Sequence, residues 1–205
     1  MSTPAFPSRT VEKETEHTVS LLAPHLAGAG SLLDVGCGAG YVARQLAERC
    51  PLAVSAVDIG DFRKVPLPRF SIFDGLTLPF PDDHFDVVVF SFVLHHVPDV
   101  YKPTLLAEAR RVARQKVLIL EDTPRGPLDH LASWWHGHRF RRRIGSRESF
   151  GFLNGREWTR LFGHLGLALV HAQPLSRWCR SVLQPFARSF FVLGTAKRLP
   201  AAPPA

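Results

Sequence analysis

The 205-residue chain is poor in cysteine, in long apolar runs and, in its second half, in acidic residues. Its three cysteines, Cys37, Cys50 and Cys179, are an odd number at wide spacing, which argues against a disulfide framework and against a structural zinc site. No stretch approaches the roughly 18 uninterrupted apolar residues of a membrane-spanning helix. The polar start, residues 1–17, does not resemble a signal peptide. These absences predict a protein of the reducing cytoplasm.

Composition predicts one compact domain with an uneven charge. Hydrophobic residues make up 45% of the chain and charged residues 21%, which suits a single domain over 1–198 with a flexible Pro/Ala tail over 199–205. Residues 1–100 contain 7 Lys or Arg against 12 Asp or Glu, whereas residues 101–205 contain 18 against 6. The basic half can attract an anionic small molecule, nucleic acid or an acidic membrane surface, and charge alone does not separate these.

Helical and apolar patterns alternate along the first 122 residues. They predict helices over 10–27, 39–50 and 100–113, and strands over 31–35, 52–57, 70–73, 85–90 and 116–120. Such alternation predicts an α/β fold with a doubly wound, mostly parallel sheet and right-handed crossovers.

The alternation of strands and helices changes after residue 122. A helix is predicted over 156–165, and two late strands within 167–197 can complete a seven-stranded sheet as an antiparallel pair. The segment between, 123–157, is rich in Trp, His and Arg.

The most informative motif joins the first strand to the second helix. Residues 32–40 read Leu-Leu-Asp-Val-Gly-Cys-Gly-Ala-Gly. Where a strand runs into a glycine turn and then a helix, the missing side chains let a ligand approach the backbone, whose free amides point at it. A dinucleotide fingerprint would require glycine at Tyr41, so hydride transfer is disfavoured. The loop therefore predicts a nucleotide-type pocket.

Two carboxylates fit the two ends of an adenosine. Asp58 ends the second strand, 22 residues after Gly36, where a carboxylate can accept both ribose hydroxyls. Asp74 follows the third strand and precedes Gly75, where a carboxylate can accept a hydrogen bond from the exocyclic amine of adenine. Ile59 offers an apolar face to the purine.

These motifs resemble class I S-adenosylmethionine (SAM)-dependent methyltransferases, above all the methyltransferase type 11 group, which includes quinone- and natural-product-methylating enzymes. The resemblance implies a single-domain, Rossmann-like methyltransferase fold, SAM as cofactor and methyl transfer as activity, with a SAM-binding core over 30–122. It says almost nothing about the acceptor. The residues that carry it, in the family's order and spacing, are 34–40, Asp58, 74–81 (Asp-Gly-Leu-Thr-Leu-Pro-Phe-Pro), 85–89 and 94–99 (Leu-His-His-Val-Pro-Asp).

The resemblance also implies a cofactor site. The backbone of Gly36, Cys37 and Gly38 approaches the methionine moiety, Asp58 binds the ribose, and Asp74 with Gly75 holds the adenine. Only 11 residues, 59–69, separate Asp58 from the third strand, where the family usually has a longer helix, so a more open adenine side is expected. The full implied set is Asp34, Gly36, Cys37, Gly38, Gly40, Asp58, Ile59, Asp74, Gly75, Ser91 and Phe92, the last two lining the reactive end.

Two histidines are the candidate catalytic residues. In-line methyl transfer from a sulfonium mainly requires alignment and exclusion of water, and a general base only where the acceptor is protonated. His95 and His96 follow the fourth strand, at the edge of the sheet where transfer occurs, so one of them can be that base or can orient the acceptor. The alternative is that they brace the helix that follows.

Segment 123–157 is the predicted substrate-recognition lid. Its tryptophans and arginines can close on a flat or acidic acceptor, although a solvated helix face with core tryptophans explains them equally well. A metal site is not predicted, because the spacings of its histidines do not suit one helix face. The candidate substrate-binding residues are Trp134, Trp135, His138, Arg142 and Arg143.

A small-molecule acceptor is favoured: a natural product, a phenol or quinone, or an acidic metabolite. Nucleic acid is the main alternative, but residues 91–94 lack the Asn/Asp-Pro-Pro-aromatic box of amino-methylating base enzymes, and no cysteine follows a proline. A second alternative is a membrane-associated lipid or quinone, contacted peripherally through residues 134–152. A non-catalytic SAM-binding partner subunit is the third, which the intact Asp34, Asp58 and Asp74 argue against. Oligomeric state is not indicated.

Overall fold

The computed structural model describes residues 8–144, 150–175 and 187–195. Side chains at 136, 137, 139–141, 143 and 144 are outside the described set, as are the predicted tail over 199–205 and the residues 145–149 of the predicted lid. The elements are α1 (Arg9–Leu22), β1 (Ser31–Val35), α2 (Tyr41–Arg49), β2 (Ala53–Asp58), β3 (Phe70–Ile72), β4 (Phe85–Ser91), α3 (Lys102–Val112), β5 (Ala113–Asp122), α4 (Pro127–Ile144), α5 (Gly155–His164), β6 (Ala168–Pro174) and β7 (Arg188–Gly194), with short 3₁₀ turns at Ala23–Leu26 and Leu94–His96.

All seven strands form one sheet, in the order β3-β2-β1-β4-β5-β7-β6. Strands β1 to β5 are parallel, and β7 pairs antiparallel with both β5 and β6. The predicted doubly wound, mostly parallel seven-stranded sheet is therefore confirmed. The chain moves outward from β1 to β3 and then returns to β4 on the other side of β1, so the carboxyl ends of β1 and β4 flank the crevice where such sheets bind ligands.

The core lies on both faces of the sheet. Val87 to Phe90 in β4 are fully buried, as a strand in the middle of a parallel sheet requires. On one face, Val88 and Phe90 belong to a cluster with α3 and α5 that includes Trp158. On the other, Val87 and Val89 pack with Leu22 of α1 and Leu46 of α2. This rigid double layer fixes the positions of the loops at the carboxyl edge.

Two segments differ from the sequence prediction. The first helix is α-helical only to Leu22 and ends in a 3₁₀ turn containing Pro24, which has no N–H to donate. The lid segment contains an 18-residue helix, α4, that the sequence analysis did not assign. Its large apolar residues lie on the exposed side, so no buried apolar face marks it in the sequence. As expected, residues 59–69 contain no helix.

Candidate active site

The glycine loop between β1 and α2 is held against the end of β2. The Val57 carbonyl accepts hydrogen bonds from the N–H groups of Gly36 (2.8 Å) and Cys37 (3.2 Å). Gly36 has φ +74°, and a Cβ there would lie 2.2 Å from Cγ2 of Val93, so only glycine fits. Gly38 has φ +53°, and a Cβ there would meet nothing within 4 Å. The loop is thus packed against Val93 at Gly36, whereas the space beside Gly38 is open.

Two aspartates lie beneath this loop. Asp58 accepts hydrogen bonds from the N–H groups of Gly38 (2.7 Å to Oδ2) and Ile59 (2.8 Å to Oδ1), which ties the end of β2 to the loop. Asp34, at the end of β1, is 1% exposed, and its Oδ1 has no hydrogen-bond partner among the described residues. Burial, and secondarily the charge of Asp58, raise the pKa of Asp34 to about 7. A buried carboxylate with an unsatisfied oxygen favours a cationic ligand group beside it.

The residues predicted to hold adenine are brought together. Asp74 Oδ1 accepts hydrogen bonds from the N–H groups of Leu76 (2.8 Å) and Thr77 (2.7 Å), which lower the pKa of this carboxyl. Gly75, at φ +85°, lies so close to Ile59 that a Cβ would be 3.2 Å from its Cγ2. Ile59 is 65% exposed, and the adjoining residues 59–69 contain no helix.

The thiol of Cys37 lies in the glycine loop and is partly buried. Burial, together with the charges of Asp34 and Asp58, raises the pKa of this thiol well above the ordinary value. A thiol that stays protonated at neutral pH is a poor nucleophile, which favours the interpretation of Cys37 as a small filler.

The end of β4 has an unusual backbone. Phe92 directly follows Ser91, the last residue of β4, and has φ +56°, which is uncommon for a residue with a Cβ. Its N–H donates to the Leu120 carbonyl (2.8 Å), and the Arg188 guanidinium lies 4.5 Å from its ring centroid. Strain of this kind tends to occur at functional sites, and here it lies at the reactive end that the sequence analysis assigned to Ser91 and Phe92.

His95 and His96 lie together in the 3₁₀ turn after β4, with ring centroids 4.1 Å apart. His95 is buried, its Nδ1 is hydrogen bonded to Glu121, and its ring stacks on Phe152 at 4.9 Å. Burial lowers the pKa of His95, but the neighbouring carboxylates, Glu121 first, reverse this and raise it overall. His96 is only partly buried. The two candidate catalytic residues therefore differ in their access to a ligand.

Three buried charged residues near His95 were not identified from the sequence. Glu121 and Asp122 end β5 and are buried, and Arg188 of β7 donates from Nε to Asp122 Oδ1 (3.1 Å). The only signal for them in the sequence is a pair of acids directly after an apolar strand, and nothing in the sequence identifies Arg188 as the partner.

Ligand atoms of His95, Glu121 and Asp122 lie within 4.8 Å of one another, which is close enough for a metal ion. However, Glu121 already accepts from His95 and from the Asp122 N–H (2.8 Å), and Asp122 from the Arg188 cation. The charges of this cluster are therefore largely neutralised by its own members and by Arg188.

The predicted acceptor residues lie along α4. Trp134 and Trp135 are 64% and 56% exposed, Trp134 stacks on His138 at 5.6 Å, and Arg142 is exposed. The side chain of Arg143 is outside the described set.

None of the four whose side chains the structure describes lines the cavity beside α5. That cavity, of about 720 Å³, opens between the start of α5 and the strands β6 and β7. Its charged and titratable lining residues are Arg125, His130 and Arg156, and Phe191 provides an apolar wall. The cavity therefore suits a partly apolar, partly anionic molecule.

The proteins that this chain resembles in sequence are methyltransferases. The chain matches the family model described as a methyltransferase domain over residues 8–172. It is 37% identical over 121 residues to the ubiquinone/menaquinone biosynthesis C-methyltransferase of Citrifermentans bemidjiense, over 50% of each chain. It is 34% identical over 134 residues to the demethylmenaquinone methyltransferase of Roseiflexus castenholzii, over 60% of this chain and 55% of the relative. The chain thus spans about half the length of these curated relatives.

Solved structures share the fold at low sequence identity. Magnesium protoporphyrin IX methyltransferase of Synechocystis PCC 6803, solved with bound SAH, aligns with a TM-score of 0.62 and 15% identity, over 90% of this chain and 83% of that chain.

Proposed function

Because the chain belongs to the class I SAM-dependent methyltransferase family, whose cofactor is SAM, we propose that it transfers the methyl group of SAM to a small, quinone-like acceptor. The observation that carries the proposal is the glycine loop, which is tied to Asp58 and directly follows β1 with its buried carboxylate Asp34, one oxygen of which has no hydrogen-bond partner among the described residues. The names of the curated relatives support a quinone-type acceptor over the nucleic-acid alternative.

The residues present fit SAM. Asp34 has a free buried oxygen and a raised pKa, so it gains a partner from a cationic group of the cofactor. Each oxygen of Asp58 accepts one backbone hydrogen bond, from Gly38 or from Ile59, and each retains a lone pair that can accept from a ribose hydroxyl. Asp74 uses Oδ1 for its own turn, which leaves Oδ2 for the adenine amine. When bound, SAM supplies an electrophilic methyl group on a positively charged sulfur.

The task of the chain is then to position the acceptor and to exclude water. Alignment of two reactants can contribute roughly 7 to 11 kcal/mol to the lowering of a barrier. The end of β4, with the left-handed Phe92, forms one side of this position, and helix α4 contacts the turn that follows β4.

A quinol acceptor must lose a hydroxyl proton before its ring becomes a good carbon nucleophile. We assign the removal of this proton to His96, because it is the partly exposed histidine of the pair. His95 is a positioning residue in this proposal: it is buried, bonded to Glu121, and its ring lies against that of His96.

The direct test is methyl transfer to a water-soluble naphthoquinol that has an unsubstituted ring carbon. The full chain is incubated with SAM and the quinol under reducing conditions, and products are analysed by mass spectrometry. The expected result is a gain of about 14 Da, one CH₂, on the ring carbon, together with formation of the demethylated cofactor. If a catechol or a carboxylate acceptor is methylated and the naphthoquinol is not, the methyltransferase assignment stands and the quinone assignment is wrong.

A further inference from the structure

Helix α4 exposes a continuous apolar stripe. Leu128, Leu131, Trp134 and Trp135 are 82%, 62%, 64% and 56% exposed. Their spacing of three, six and seven residues puts them on one face of the helix, whereas Ser133, on the opposite face, is 3% exposed. Large apolar groups that line one side of a helix and point to water are unusual for a surface that meets only solvent.

The same helix is strongly basic. Its residues, 127–144, include four arginines and one acidic residue, Asp129. Arg142 lies on the face of the stripe, two turns beyond Trp135, and is exposed. Arg139, Arg141 and Arg143 belong to the same helix. Apolar residues with interfacial tryptophans on one side and many arginines are the composition of a helix that lies in the headgroup region of an anionic bilayer.

We propose that α4 docks this face on an anionic membrane surface, where a lipid-soluble acceptor resides. Charge complementarity identifies the occupant: arginines attract the acidic headgroups, and the leucines and tryptophans enter the acyl boundary. A nucleic acid would use the arginines but would gain nothing from exposed Leu128 and Leu131. The helices of the described residues include none with the length and hydropathy of a membrane span.

The position of α4 relative to the cavity agrees with this role. Arg125 and His130, which flank Leu128 in the chain, line the 720 Å³ cavity. A docked α4 would therefore bring the cavity close to the bilayer surface, and an acceptor could move from the lipid into the cavity with little exposure to water. This part of the inference rests on the proposed function, whereas the docking itself does not.

The test is flotation of the full chain with vesicles of phosphatidylcholine alone or with added phosphatidylglycerol. We expect binding to the anionic vesicles, a blue shift of tryptophan emission on binding, and affinity that falls about tenfold or more at high salt. Leu128→Gln with Leu131→Gln should weaken vesicle binding on the order of tenfold or more. Val100→Gln, which changes a residue that is 63% exposed elsewhere, is the matched control and should bind like the parent.

Other outcomes overturn the proposal. These are equal binding by the double leucine variant, absence of binding to either vesicle, and concentration-dependent dimerisation that the double variant abolishes. A blue shift produced by SAM and a soluble quinol without vesicles would instead identify the stripe as a lid. A second variant, Trp134→Gln with Trp135→Gln, should lose binding in the same way. Methylation of the soluble quinol, measured without vesicles, tests the proposed function separately.

Discussion

The carboxylate of Glu121, at the end of β5, is hydrogen bonded to the imidazole Nδ1 of His95, 26 residues earlier in the chain. Its second oxygen accepts from the backbone N–H of His95 (3.3 Å). Both side chains are buried, so water screens neither charge. The pair therefore fixes the turn after β4 to the end of β5, at the edge of the sheet where the glycine loop lies.

Glu121→Gln should destabilise the fold in a pH-dependent way. The folded-state pKa of His95 is raised, so its contribution to the free energy of unfolding is fully present below the ordinary pKa of 6.5 and is lost as pH rises through the folded value. Without the Glu121 charge, burial dominates and this contribution disappears. We expect a loss of about 3 kcal/mol near pH 6 and a smaller loss at pH 9, measured by urea denaturation.

Glu48→Gln provides the control for this variant. Glu48 forms a partly exposed ion pair with Arg44, and its loss should cost under about 1 kcal/mol. A Glu121→Gln deficit that is the same at pH 6 and pH 9 would mean that the pair is not ionic.

Asp34→Asn should stabilise the cofactor-free protein and weaken SAM binding. The pKa of Asp34 is raised to about 7, so the charged carboxylate costs folding free energy that grows between pH 4 and pH 7 and persists above. The variant removes this cost, roughly 1 to 3 kcal/mol at pH 8 and much less at pH 4. Denaturation at the two pH values and calorimetric titration with SAM measure both effects. Tighter SAM binding by the variant would contradict the proposed contact with a cationic group.

Features that depend on neighbouring residues could be predicted from the sequence, whereas contacts between residues far apart in the chain could not. Asp34, Gly36 and Asp58 belong to a local strand–loop–helix pattern or end a recognisable strand, so their site was predictable. The Glu121–His95 pair joins β5 to the turn after β4, and Asp122 bonds to Arg188 66 residues later in the chain, so no local sequence pattern reports these contacts. Helix α4 was missed for a different reason. Its apolar residues are exposed, and amphipathic patterns are interpreted on the assumption that apolar faces are buried.

Gly36→Ala should be far more costly than Gly38→Ala, although both glycines have positive φ. At Gly38 only the left-handed backbone is penalised, by about 1 to 2 kcal/mol. At Gly36 the new methyl group would also overlap the side chain of Val93, at 2.2 Å from its Cγ2, for a total of about 3 to 5 kcal/mol. The double variant Gly36→Ala with Val93→Ala should be more stable than Gly36→Ala alone. Thermal and urea denaturation measure this difference. Equal costs for the two single variants would show that the loop is not packed on Val93.

Asp58→Ala should remove most SAM binding. The variant loses the hydrogen bonds that hold Gly38 and Ile59 and, in the proposed function, the contact with the ribose. Two charge-assisted hydrogen bonds correspond to an affinity loss on the order of a hundredfold. Asp61→Ala is the matched control, because Asp61 is an exposed acid in the adjoining segment, paired with Arg63. Unchanged calorimetric binding by Asp58→Ala, or equal losses in both variants, would mean that the ribose acid is misassigned.

His96→Gln should lower methyl transfer to a phenolic acceptor more near neutral pH than at alkaline pH. In the proposed function His96 takes the hydroxyl proton, a role that contributes about a hundredfold or more to the rate. At alkaline pH the phenol ionises by itself and needs no base, so the ratio of parent to variant kcat should shrink as pH rises toward 10. SAM affinity should not change. His84→Gln, at an exposed site directly before β4, is the control. A ratio that stays constant across the pH range would reject the base role and leave His96 as a brace for the turn after β4.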